Sequence, residues 1–112
     1  GVDLCVYPGT LWHTHLPGVV SHVGYPYSVD DPERYVEVTD AAGLRHRFFY
    51  LHPMIGVGVQ ITAGVLLGRV QDLSYKWPDT RGDYYHHVHY EVRRPGARRR
   101  YVDPMQFIVG SE

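Results

Sequence analysis

The sequence predicts an all-β domain, and three observations carry that expectation. Short runs of β-branched and aromatic residues recur between Gly, Pro and Asp punctuation, and no stretch shows a sustained helical period. A polar turn separates two alternating arms between residues 35 and 52, which is a hairpin pattern. The segment His87-Val88-His89-Tyr90-Glu91-Val92 alternates polar and apolar residues with the period of two that a half-buried strand requires.

Taken in order, the chain opens on Gly1-Val2-Asp3, a carboxylate close to the first residue, followed by Gly9-Thr10 and Gly18-Val19-Val20. The hairpin has Tyr35 to Thr39 as one arm, Asp40-Ala41-Ala42-Gly43 as its turn and Arg45 to His52 as the other arm. Val57 to Gly64 and Val65 to Val70 read as two further short strands joined at a glycine. Gln71 to Tyr85, carrying Trp77-Pro78 and Arg81-Gly82-Asp83, reads as a loop too long to be a mere connector. The last strand runs from His86 to Arg94 and turns at Pro95-Gly96. The stretch from Tyr101 to Ile108 holds Asp103-Pro104, which ends a strand or starts a final turn.

Composition narrows the chemistry. The 112 residues suit one domain, expected to span 1–112. No apolar run approaches the about 20 residues of a membrane helix. Cys5 is the only cysteine, which removes an internal disulfide and a cysteine-based zinc site, so any metal must sit on histidine and carboxylate. The formal net charge is −1, and the cluster Arg93, Arg94, Arg98, Arg99 and Arg100 is local, so no nucleic-acid partner is expected.

The histidine strand is the strongest chemical signal. Residues two apart on a strand share a face, with Cβ atoms roughly 6 to 7 Å apart by the strand rise. His87, His89 and Glu91 therefore point one way, toward a cleft, and Val88, Tyr90 and Val92 point into the core. Two rigidly held imidazoles suit a metal ligand beside a general base. A strand carrying His-x-His for purely local reasons remains the competing reading. His52 adds a third imidazole at the end of the aromatic run Phe49-Tyr50-Leu51, and strand ends beside loops are where sites are built. His13 and His15 read as a solvated loop pair, and His22, His46 and His86 as structural.

These pieces, in this order, resemble the lysostaphin-type (LytM-like) zinc metallopeptidase family across nearly the whole chain. The matching residues are Gly1-Val2-Asp3, Gly9-Thr10, Gly18-Val19-Val20, Tyr50-Leu51-His52, Val59 to Gly68, His87 to Val92 and the closing Val102-Asp103-Pro104. The resemblance implies a compact antiparallel β-sandwich or open barrel of the duplicated-hybrid-motif kind. It also implies Asp3 and His89 as zinc ligands, His87 as the base that deprotonates the attacking water, and His52 as a group that holds that water or stabilises the tetrahedral intermediate. Such chemistry fits zinc, which takes imidazole nitrogen and carboxylate oxygen and keeps one position open in catalytic sites. Glu91 is a candidate to orient His89.

Two departures matter. The family's first histidine ligand would lie two positions before Gly1, so the chain is expected to be N-terminally truncated relative to the family motif. Pro53 replaces the usual Leu, and the loop carrying Trp77, Asp79, Arg81 and Asp83 departs from the family's short approach to the histidine strand. The leading expectation is a zinc endopeptidase acting on peptide cross-links of bacterial peptidoglycan, with an extracytoplasmic location: secreted, periplasmic or virion-associated. The alternative is a degenerate, non-catalytic module that binds cell wall or a protein partner, such as a hydrolase regulator, a divisome component or a phage tail part. A biotinyl or lipoyl carrier fails because the only lysine, Lys76, is not at a hairpin tip.

Overall fold

The computed structural model describes residues 1–73, 86–96 and 101–108. Among the described residues, ten strands run in chain order: β1 (Val2–Cys5), β2 (Leu11–His13), β3 (Gly18–Gly24), β4 (Tyr35–Thr39), β5 (Arg45–Phe49), β6 (Leu51–Pro53), β7 (Gln60–Ile61), β8 (Leu66–Val70), β9 (His87–Arg93) and β10 (Tyr101–Val102). They are followed by one helical turn, α1 (Met105–Ile108). All pairings are antiparallel. The larger sheet has the order β1-β9-β5-β4-β3-β7, with β10 also on β9, and the smaller one has the order β2-β8-β6.

The expected hairpin forms, with Tyr35 opposite Phe49 and Thr39 opposite Arg45. Gly43 adopts a φ of 85° in its turn, where a side chain would be strained. The Asp40 carboxylate accepts the backbone N–H groups of Ala42 and Leu44, which closes the turn. The second arm departs from expectation. It ends at Phe49, the chain bends at Tyr50, and Leu51–Pro53 joins the smaller sheet instead of prolonging the hairpin. The stretch read as a strand from Val57 to Gly64 is mostly turn, with only Gln60–Ile61 paired. Gly58 and Gly64 at φ of 91° and 95° break the extended backbone on either side.

One core lies where the inner face of the larger sheet meets the smaller sheet. It joins Val20, Val36, Val38, Phe48, Val88, Tyr90 and Val92 to Leu51, Leu67 and Val70. Phe48 and Tyr90, cross-strand neighbours on β5 and β9, stack with centroids 4.8 Å apart. At about 25 cal/mol per Å² of apolar surface, full burial of such rings supplies several kcal/mol and fixes which way β9 faces. A one-residue slip of β9 would bring His87 and His89 into this core and expel Val88 and Tyr90.

Candidate metal centre

The outward face of β9 meets β1 along its edge. Antiparallel pairing sets Asp3 opposite His89 and Cys5 opposite His87, so the carboxylate near the start of the chain is delivered to the histidine strand by register. Asp3 Oδ1 lies 2.8 Å from His89 Nδ1 and 3.8 Å from His87 Nε2. Glu91 Oε1 lies 3.3 Å from His89 Nε2. Two imidazoles thus converge on one carboxylate oxygen, with a second carboxylate behind His89.

The protonation chemistry of this cluster is constrained. A hydrogen bond from Nε2–H to Glu91 leaves Nδ1 with a lone pair facing Asp3 Oδ1, and two acceptors at that distance repel unless a cation joins them. In the absence of metal a proton serves, and the histidine becomes imidazolium. Consistently, the hydrogen bond to Glu91 raises the His89 pKa above its ordinary value, and Asp3 adds to the rise against the opposing effect of burial. Glu91 is drawn the other way: burial alone would raise its carboxyl, but the bond from His89 and the guanidinium of Arg93 hold it low. Its Oε2 also accepts from Arg93 Nε at 3.1 Å.

Gly1 backs directly onto this cluster. A Cβ there would come within 2.6 Å of both Cε1 and Nε2 of His89, so glycine lets β1 press against the ring and hold it. The donor set, one carboxylate oxygen and one imidazole nitrogen side by side and partly open to solvent, suits a borderline-soft divalent ion such as zinc. Among the described residues, no group of three His, Cys, Asp or Glu side chains is placed to hold a metal ion. What the fold assembles is therefore a two-donor corner with His87 adjacent.

His52 stands on β6, exposed, opposite Arg69 of β8. A Cβ on Gly68 would collide with the His52 backbone oxygen, so that glycine allows the close approach of β8 which fixes this strand end. Asp3 pairs with His87 and His89 on the larger sheet, whereas His52 stands on the smaller one. The residues Trp77, Asp79, Arg81 and Asp83 of the expected loop, and Arg98, Arg99 and Arg100 of the basic cluster, lie outside the described residues.

Two aromatic residues that the sequence offered as the run leading to His52 also meet the histidines of β9. Phe49 packs on His89 with centroids 5.3 Å apart, and the Tyr50 ring meets His87 edge to face at 5.2 Å and 83°. Phe49 reaches His89 through the pairing of β5 with β9, strands far apart in the chain, and Tyr50 depends on a backbone bend that alternation does not predict. His15 is a correction. It is not a solvated loop residue, because it is half-buried against Tyr90, whose hydroxyl lies 3.2 Å from its Nε2. A cavity of about 560 Å³ opens elsewhere, between Pro17–Val19, Thr39–Ala41 and Gln60–Thr62, and is lined by none of the site residues.

No protein-family model matches the chain, and no curated protein sequence matches it. Solved structures do, and the class they define is the lysostaphin-type, LytM-like fold. The chain superposes on lysostaphin in solution with a TM-score of 0.75 at 19% identity, over 99% of its own length and 43% of that chain. The catalytic domain of the antimicrobial peptidase lysostaphin from Staphylococcus simulans gives 0.73 at 20%, covering 97% and 77%. The catalytic domain of the prophage-encoded M23 protein EnpA from Enterococcus faecalis gives 0.64 at 22%, covering 94% and 75%. A chain of the SpoIIQ–SpoIIIAH pore-forming complex gives 0.53 at 23%, covering 82% and 52%. The chain thus spans less than half of the full lysostaphin chain. No helix among the described residues is long and apolar enough to cross a membrane.

Proposed function

We propose that this chain is the body of a zinc-dependent endopeptidase that hydrolyses peptide cross-links of bacterial peptidoglycan outside the cytoplasm. The observation that carries the reading is the convergence of His87 and His89 on Asp3 Oδ1 at the β1–β9 register. Its setting is a fold shared with the lysostaphin catalytic domain. Asp3 and His89 would hold the metal, and Glu91, by accepting His89 Nε2–H, keeps the Nδ1 lone pair directed at it. When bound, zinc supplies Lewis acidity, polarising the scissile carbonyl and acidifying water.

The chain's own residues do the remaining work. His87, in its neutral form, takes the proton of the attacking water and returns it to the departing amine, as a general base then acid. His52, two residues beyond the bend at Tyr50, faces solvent and is available to steady the oxygen that gains charge in the tetrahedral intermediate.

The second reading, a non-catalytic module that binds cell wall or a protein partner, draws on one specific observation: the described residues supply two donors where a catalytic zinc site uses about three. Digestion of purified peptidoglycan by the protein with its native N-terminal sequence separates the readings. The enzyme reading expects new peptide amino termini with wild type and a loss on the order of 100-fold or more with His87→Ala, the scale general acid–base catalysis commands. Wild-type protein that releases none while still sedimenting with the cell wall would replace it with the binding module.

A further inference from the structure

We infer that Tyr50 is a positioning residue that fixes the ring of His87, and that the left-handed backbone at Tyr50 exists to place it there. The inference rests on the reading of His87 as the base of the proposed site.

In an extended strand, consecutive side chains point to opposite faces. On β5 the rule holds: His46 and Phe48 are buried in the core, while Arg47 and Phe49 turn outward beside Glu91 and His89. Continuing the alternation would send residue 50 into the core with Phe48. Instead Tyr50 takes a φ of 73°, the sole non-glycine residue among those described with a positive φ. That conformation costs a side-chain-bearing residue on the order of 1 kcal/mol or more, and persists only when its surroundings over-determine it.

Here they do. Tyr50 N–H donates to Arg34 O at 2.7 Å, and Tyr50 O accepts from Gln71 N–H at 3.0 Å, so the bend is clamped on both sides. The ring is 5% exposed, and its hydroxyl hydrogen-bonds that of Tyr27 from the β3–β4 connection. The consequence is that two consecutive rings reach the same site. Phe49 packs on the metal-side imidazole, His89, and Tyr50 meets the base-side imidazole, His87, edge to face. The same bend ends β5 and starts β6, which presents His52 two residues later. A regular strand of any sequence would reach only one of the two histidines from adjacent positions.

An aromatic wall restricts the imidazole to rotation states compatible with edge-to-face contact, which is how a base is held within reach of its proton. The Tyr50 ring meets the His87 ring, and the Tyr50 hydroxyl bonds that of Tyr27. Tyr50→Phe therefore separates a positioning role from a polar one, and Tyr50→Leu removes the aromatic face while keeping an apolar side chain.

The test uses the protein with its native N-terminal sequence and two independent readouts. In wild type, proton NMR shows cross-relaxation between the Tyr50 ring and the His87 ring, and a ring-current shift on the His87 carbon-bound protons that Tyr50→Phe retains and Tyr50→Leu loses. In peptide hydrolysis, Tyr50→Leu lowers kcat by about tenfold or more with KM within about twofold, and Tyr50→Phe restores most of kcat. Absence of the Tyr50–His87 cross-relaxation in wild type overturns the inference, and this arm needs no soluble Leu variant. Equal loss of kcat in the Phe and Leu variants also overturns it, because the hydroxyl would then be the active group. A protein that hydrolyses nothing defeats the peptidase reading alone, since the NMR arm still decides whether Tyr50 fixes the ring.

Discussion

A histidine–carboxylate cluster lies against each face of strand β9, and the two behave oppositely. On the core face, His46 Nε2–H donates to Asp40 Oδ2 at 2.8 Å, and His46 Nδ1 accepts from the Tyr90 hydroxyl at 2.6 Å. The Tyr90 oxygen in turn lies 3.2 Å from His15 Nε2, which is then the protonated nitrogen of that ring. His46 is wholly buried, and its pKa is lowered by burial even though Asp40 opposes the change. On the outer face, His89 is partly open between Asp3 and Glu91, and its pKa is raised.

The residue types are the same, and what differs is the count of satisfied groups. In the core network each imidazole nitrogen of His46 has one partner of complementary sense, so the neutral form is complete and nothing further can bind. In the outer cluster a lone pair and a carboxylate face each other, so completion requires a cation. Burial with full pairing makes a histidine structural, and exposure with surplus acceptors leaves one able to take up a cation.

The largest effect that separates the two faces is on stability. His46→Ala leaves the Asp40 charge and the Tyr90 hydroxyl without their buried partner, and is expected to cost about 3 kcal/mol. Denaturant unfolding measures this, and His89→Ala should cost less than about 1 kcal/mol in the same assay. Comparable losses in the two variants would erase the distinction.

Next in size is the backing of the His89 ring. Gly1→Ala places a Cβ where the ring sits, and zinc affinity should fall by about tenfold through displacement of a ligand whose orientation is its function. Titration with a competing chelator reads this directly. Unchanged affinity would show that β1 does not hold the ring.

The smallest effect is the pH dependence of stability, where the faces contribute with opposite sign. His46 and His15 have lowered pKa values in the native protein, in both cases chiefly from burial. As pH falls through the ordinary value of 6.5, the unfolded chain takes up protons that the native state refuses, and stability declines. For His46 the slope is at most about 1.4 kcal/mol per pH unit. His89 has a raised pKa, so its contribution is complete below 6.5 and is lost as pH rises through the native-state value. Acidification from pH 8 to 6 should therefore destabilise His89→Ala more than wild type in the absence of metal. Parallel curves for the two proteins would contradict the opposite signs.

How much of this was legible depends on the range of the cause. The period of β9 and the polar turn of the hairpin are local, and they gave the faces of His87 and His89 and the pairing of β4 with β5, whereas the pairing of β5 with β9 that brings Phe49 to His89 joins segments far apart in the chain. The order of short motifs gave the fold. The outer cluster needed only the pairing of β1 with β9 to become concrete. The core network was not readable, because His46 and Tyr90 meet through the pairing of β5 with β9, His15 reaches Tyr90 from beyond β2, and nothing in their spacing signals it. The bend at Tyr50 was not readable either: a tyrosine in an aromatic run favours continued strand, and the positive φ is imposed by Arg34 and Gln71 from distant segments. Sequence also assigned Val57 to Gly64 to a strand on β-branched residues alone, where the glycines decide the backbone.

The central claim is that the outer cluster, and not the core one, is a metal site. Zinc content after purification and dialysis, measured on the protein with its native N-terminal sequence beside His89→Ala, tests it most directly. About one zinc per chain in wild type, lost in the variant, is the predicted result. Equal and negligible zinc in both proteins would contradict it.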